Sequence, residues 1–283
     1  MNETTNSAGF ARHVRACNNA GLPGGRLRLL IGDVHVGWVE PKIAEALRDS
    51  PWLRHDDAET LVLTEPAQLP TLCRQLAALG FCRTRGEQFD VRADPDGPAL
   101  ARIDRGAIPQ FGVRAIGVHV NGLVDTPAGL NVWVARRARD KLLDPGKLDH
   151  VVAGGVPAGL DPWHTLIKEA AEEAAIPEDL ARAARLVGRI GYAMARLEGL
   201  RRDLIYCYDL YLPPDFQPVP ADGEVECFEL WPVERVLAAV RDTDDFKFNV
   251  NLVLIDLFIR LGLIEEPKAS NLRAALNAGG AGA

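Results

Sequence analysis

One short helix restricts the choices for this chain more than any other stretch. Asp161 followed by Pro162 reads as an N-cap and first helical residue, and Pro177 stops the helix after Ile176. At about 100° per residue, Trp163, Leu166, Ile167, Ala170 and Ala174 form an apolar stripe that must be buried against another layer. Glu169, Glu172 and Glu173 gather on the opposite side. Like charges at these spacings repel by roughly 0.2–0.5 kcal/mol per pair, and a bound cation would offset the crowding. Oxygen-only ligands favour Mg²⁺ or Mn²⁺ over zinc. A solvated acidic face has the same residue pattern, so the neighbouring sequence has to decide.

Immediately upstream lies AGGVPAGLD, where Gly154, Gly155 and Gly159 permit a tight loop whose backbone approaches a ligand or metal closely. Neither G-x-G-x-x-G nor the P-loop pattern is present in it. Loop and helix together resemble the Nudix box, G-x5-E-x7-R-E-U-x-E-E-x-G-U, in which U is a bulky aliphatic residue. Gly154 takes its first glycine, Glu169 the first helical glutamate, Glu172 and Glu173 the glutamate pair, and Ile176 the last aliphatic. Four positions depart from it: Leu160 replaces the loop glutamate, Lys168 the arginine, Ala170 the first aliphatic and Ala175 the second glycine. Lys168 keeps the charge but loses the planar fork that holds a carboxylate at two points.

The likeness extends beyond the box. FGVRAIGVHVNG, PGKLDHVVAGGVPAGL, DGEVECFELWPV and FKFNVNLVLIDLFIRLG look like segments of the thiamine-pyrophosphokinase-related Nudix branch, whose members carry an extra N-terminal domain. The resemblance implies metal ligands at Glu169, Glu172, Glu173 and a loop carbonyl near Ala153, with Glu173 or Glu224 as general base. Gly154, Gly155, Gly159, Lys168 and Glu226 would support them. Strand alternation places Glu224 and Glu226 on one face with Phe228. Arg136 and Arg137 end a strand leading toward the site and are expected to meet phosphate oxygens, Arg137 first. His119, His150 and His164 are not spaced as a ligand set.

The expected fold is α/β: a Nudix α/β/α sandwich with a mixed sheet over 109–283, preceded by a smaller α/β domain over 1–108. DPDGP at 94–98 supplies turn chemistry before that boundary. Helices are expected near Phe10–Asn19, Pro41–Asp49, Gln68–Gly80, Val233–Val240 and Val250–Leu261, with Gly262 capping the last and a mobile tail after Glu265. Strands are expected at Arg26–Asp33, Thr60–Leu63, Phe89–Ala93, Gly112–Asn121, Gly129–Arg136, Tyr206–Leu212 and Glu224–Trp231. The stripe in 252–264 reads as core rather than as a partner interface.

A formal charge of -7 argues against nucleic acid as the main partner. The five cysteines form no C-x-x-C pair, so reduced thiols are expected. The first ten residues lack a basic start and an apolar core, and no run is long enough to span a bilayer. A cytoplasmic protein with no membrane partner follows as the expectation; oligomeric state is not readable. The expected activity is Mg²⁺- or Mn²⁺-dependent, MutT-like hydrolysis of a phosphoanhydride in a small diphosphate. The branch implies thiamine diphosphate or its oxidised derivatives, giving the monophosphate. A pyrophosphatase of nucleoside diphosphate sugars, ADP-ribose or coenzyme A remains an alternative, as does a catalytically silent Nudix-fold module that binds a nucleotide or regulates another protein.

Overall fold

The computed structural model describes residues 5–279. The first half contains α1 (Thr5–Cys17), β1 (Leu27–Ile31), β2 (Val34–Val39), α2 (Pro41–Ala46), β3 (Leu53–Asp57), β4 (Thr60–Leu63), α3 (Leu69–Ala78), β5 (Gln88–Val91), β6 (Ala101–Asp104) and α4 (Ile108–Phe111). The second contains β7 (Arg114–Thr126), β8 (Gly129–Arg137), β9 (Leu148–Asp149), β10 (Val152–Gly155), α5 (Pro162–Ala174), α6 (Glu178–Ala181), β11 (Arg185–Arg196), β12 (Gly199–Tyr211), β13 (Val225–Pro232), α7 (Val233–Asp242), α8 (Val250–Arg260) and α9 (Lys268–Gly279).

Two-residue periodicity builds the larger sheet into a three-layer sandwich. Along β12, Ile205 and Cys207 face the layer made by α1, α8 and α9, while Tyr206 and Tyr208 face α5. Along β8, Val132 and Val134 point one way and Trp133 the other. The strand order is β11-β12-β7-β8-β13, with β7 and β12 parallel and the other neighbours antiparallel. The α/β/α expectation and its mixed sheet are therefore met. β7 serves two partners on one edge: β10 pairs with Gly117–Val120, and β8 takes over from Gly122 onward. The sheet forks there, and the fork leaves the end of β10 open toward α5.

The first half forms a smaller mixed sheet, β2-β1-β4-β3, and the antiparallel hairpin β5–β6. Leu29, Ile43, Leu61, Leu72, Leu76, Phe89, Ile103 and Phe111 share one core there. Helix α1 is an exception to sequence order: Phe10, Val14 and Cys17 pack with α8 and α9 in the core of the second half. Packing units and sequence halves therefore differ at that helix.

Several elements were not visible in sequence. β2, β3 and β6 were missed, and so was β11, where Arg185, Arg189, Arg196, Gly188 and Gly191 interrupt the apolar alternation. β11 is held instead by pairing with β12 along its length. The expected mobile tail is corrected up to residue 279: α9 buries Ala269, Leu272 and Leu276 in the main core. Gly262, with φ +70°, ends α8 but not the last helix. The tail expected at residues 280–283 and the stretch 1–4 of the N-terminus lie outside the described residues. α8 buries nearly all of its faces, as a helix apolar all round must, which agrees with core rather than interface.

Candidate metal and diphosphate site

Asp161 caps α5 as the sequence indicates, its Oδ1 accepting the His164 N–H at 2.8 Å. The C-terminus is unusual, because Ala175 ends the helix in the left-handed region at φ 51°. This is the position where the box has glycine, so the backbone shape is kept while the residue suited to it is absent.

The three glutamates of α5 do not share one environment. Glu173 lies about 20° from Leu166 around the helix, within the buried stripe, and is 7% exposed. The expectation that it stands opposite the apolar face is corrected, since the fork beside β10 gives it an inward place. Its Oε2 accepts the Ala153 N–H at 2.9 Å. Burial pushes its carboxyl well above the usual range, against that hydrogen bond and with help from Glu169, Asp149 and Glu224. Glu169 is largely buried and is also pushed up, first by burial, with Lys168 opposing. Glu172 is half-exposed and bound to Lys168 Nζ at 2.5 Å; the same ammonium reaches Glu169 at 3.2 Å. Lys168 thus spans the pair that a guanidinium would hold in the box.

Glu173 is brought together with two acids from the loop before β13. Carboxylate oxygens of Glu173, Asp222 and Glu224 lie within 4.8 Å of one another. Asp222 was missed in sequence; the available signal was its place in a DGE turn, where its Oδ1 accepts the Glu224 N–H at 2.8 Å. Glu224 precedes β13 rather than lying in it, and is ion-paired with Lys141. Burial would raise its carboxyl, but Lys141, then Arg105 and Arg137, bring it below the usual range. Glu226 sits where the β13–β8 register shifts, so simple alternation with Glu224 fails, and it lies 3.7 Å from Arg139.

This donor set fits a hard dication. It is all oxygen, it includes a buried carboxylate whose charge burial opposes, and it gathers like charges that repel without a cation. Gly154 makes room for it: a Cβ there would stand 2.6 Å from Glu169 Cγ. A Cβ on Gly155 would stand 2.4 Å from Phe89 Cζ, and Gly159, at φ +85°, donates its N–H to Asp90 Oδ2 at 3.1 Å.

Arg137 is not offered to a ligand, which corrects its expected role. Its guanidinium is 11% exposed, bound to Asp149 Oδ2 at 2.7 Å and to the Leu143 and Asp144 carbonyls. Arg136 is more open, near Glu229 and the Gly146 carbonyl. Two of the three histidines set aside in sequence meet in space: His119 Nδ1 and His150 Nδ1 are 2.8 Å apart beside Asp149, while His164 stays at the α5 N-cap on Asp161. Lys247 lies 3.5 Å from the same Asp149. Two cations already neutralise that carboxylate, so this cluster is an internal charge network and a poor dication site.

A family model described as a domain of unknown function (DUF4743) matches residues 9–115. The chain is 43% identical over 180 residues to "Nudix hydrolase 24, chloroplastic" of Arabidopsis thaliana, covering 64% of this chain and 49% of that protein. It is 40% identical over 186 residues to "Nudix hydrolase 20, chloroplastic" of the same plant, covering 66% and 50%. The chain thus spans about half the length of the curated relatives it matches. Among solved structures, DR0079 from Deinococcus radiodurans is similar with a TM-score of 0.46 at 20% identity, covering 59% of this chain and 97% of that one. Over more than half of its length the chain is thus similar in sequence to two plant proteins named as Nudix hydrolases.

Proposed function

We propose that the chain is a divalent-metal-dependent pyrophosphohydrolase that splits a phosphoanhydride in a small diphosphate. The observation that carries this reading is Glu173: a carboxylate buried against the sheet and within 4.8 Å of two further acids gathers negative charge that a bound cation would offset. Glu169, Glu173, Asp222 and Glu224 would hold Mg²⁺ or Mn²⁺, with Glu172 at the exposed edge. Such a dication polarises a phosphoryl oxygen and lowers the pKa of water.

The chain's own residues do the rest. Ala153 N–H fixes one oxygen of Glu173, so its other oxygen has a set direction. Glu224, held below the usual range and half-exposed, is ionised at neutral pH and suited to accept the proton of the attacking water. Substitution at phosphorus then yields two phosphorylated products, or a monophosphate and phosphate.

Thiamine diphosphate or an oxidised form is the substrate the branch resemblance favours; a nucleoside diphosphate sugar, ADP-ribose or a coenzyme A species is the alternative. Residues up to about 108, α1 apart, form the accessory unit in this reading. A cytoplasmic location belongs to it too, set against the plastid location in the names of both plant relatives. No described helix is long and apolar enough to cross a membrane. The test is a panel of these diphosphates with Mg²⁺ or Mn²⁺, with product identification. Metal-dependent release of a monophosphate that disappears in Glu173→Gln supports the reading; tight, metal-indifferent binding without product over long incubation favours a silent binding module instead.

A further inference from the structure

The hairpin β5–β6 belongs to the first half by sequence, yet it stands against the end of the glutamate helix. A cavity of about 240 Å³ lies between it and the larger sheet, with Phe89, Asp90 and Asp96 on one side and Val156, Leu160 and Tyr206 on the other. The hairpin is fastened across this gap. Ala158 N–H donates to the Gln88 carbonyl at 2.7 Å, Gly159 N–H to Asp90, and Tyr206 OH to Asp96 Oδ1 at 3.0 Å. Arg189 adds an ion pair to Asp96 at 2.8 Å while lying over the Tyr206 ring.

The cavity and the acidic cluster are neighbours. Gly154 packs against Glu169 and the next residue, Gly155, packs against Phe89, so a single step along β10 separates carboxylate from cavity wall. Just past β6, Arg105 places its guanidinium 5.7 Å over Phe89 and pairs with Glu87 at 2.8 Å, with its side chain 53% exposed. Arg105 and Glu87 flank the hairpin at its two ends, and their charges act on Glu224 and Glu169 respectively.

We propose that this hairpin completes the diphosphate site, the cavity taking the substrate's ring and Arg105 meeting its phosphate oxygens. The wall chemistry defines the ring. Phe89, Tyr206 and Leu160 offer flat and aliphatic surface, which suits an aromatic heterocycle. Asp90, Asp96 and Asp161 line the cavity against one cation, Arg92, which is paired with Asp90, so the lining is net acidic and suits a ring that carries amino donors or a positive charge rather than acidic groups. Leu160 gains a purpose here: the position where the box has a glutamate has become apolar wall, 37% exposed. Arg105 has the planar fork that matches phosphate, and its exposed pairing with Glu87 is readily exchanged for it.

This inference rests on the diphosphate reading above, and its test separates the two. Calorimetric binding in EDTA, where turnover is absent, is compared for inorganic pyrophosphate and for ADP, ADP-ribose and thiamine diphosphate. The full chain is used with Leu160→Trp, which fills the cavity from an exposed position, and with Arg105→Gln. Leu160→Trp is expected to weaken the best-bound ring-bearing ligand at least tenfold and pyrophosphate less than twofold. Arg105→Gln is expected to weaken both about fivefold, with partial rescue in Arg105→Lys. The inference is overturned if the wild-type chain binds no ring-bearing ligand more tightly than pyrophosphate, if Leu160→Trp weakens both alike, or if Arg105→Gln changes neither. An expected binding pattern with no turnover in Mg²⁺ would instead overturn the hydrolase reading and leave the pocket standing.

Discussion

Replacing Glu173 by Gln separates charge from shape at the centre of the site. Glutamine keeps the acceptor for the Ala153 N–H and nearly the same volume, so the change removes little besides the negative charge. Burial opposes that charge, and Glu169, Asp149 and Glu224 add to the opposition, while Lys247 relieves part of it. Relieving a buried, incompletely paired group is worth about 1–3 kcal/mol. In EDTA at pH 7.5 the variant should therefore melt above the wild type, by about 2–12 °C at the sensitivity of a domain this size.

The pH dependence follows from the sign of the shift. An acid whose folded pKa is raised binds more protons folded than unfolded, so its cost appears as pH rises past the ordinary value of 4.5 and is complete above the folded value. The gap between variant and wild type should open over that window and close in acid. Mg²⁺ at about a hundred times its Kd should stabilise the wild type by roughly 2.7 kcal/mol and the variant far less, so the order of melting narrows or reverses. Thermal unfolding followed by circular dichroism reads all three effects. A variant less stable than wild type in EDTA, or an equal Mg²⁺ shift in both proteins, would refute the assignment of Glu173 to a cation.

Other consequences are simpler. Ala175→Gly should stabilise the chain by about 1 kcal/mol in urea titration, because glycine occupies the left-handed region without the Cβ clash; no change would mean that the cap relaxes. Arg137→Ala should cost about 3–5 kcal/mol, since it leaves Asp149 buried with one of its two cations; a loss of substrate affinity with full stability would return Arg137 to the phosphate site. Burial holds the His150 imidazole down at about 4. A base with a lowered folded pKa contributes stability that is lost as pH falls from 6.5 toward about 4, and His150→Asn should flatten that part of the urea-unfolding profile.

Much of the fold was legible because it is local or periodic. The N-cap at Asp161, the prolines bracketing α5 and the apolar runs of β7, β8 and α8 are determined within a few residues of chain, where capping and 2.0- or 3.6-residue periods operate. The order Gly154, Glu169, Glu172, Glu173 likewise marked out the acidic helix within the sequence. Strands such as β11 were hidden because pairing with β12, rather than their own side chains, holds them in place.

The site's composition was decided by tertiary contacts. A one-dimensional helix projection shows which carboxylates are near one another but not which layer covers them, so Glu173 was placed on the wrong side until the fork at β10 located the sheet. Asp222 joined the cluster and Arg137 left it for the same reason: a chain reversal sets which charges meet, and a buried cation is bound by whichever carboxylate shares its enclosure. Sequence determined the kinds of groups available and their order along each element. Folding determined their partners, because burial makes unpaired charge costly and thereby selects the pairs that survive.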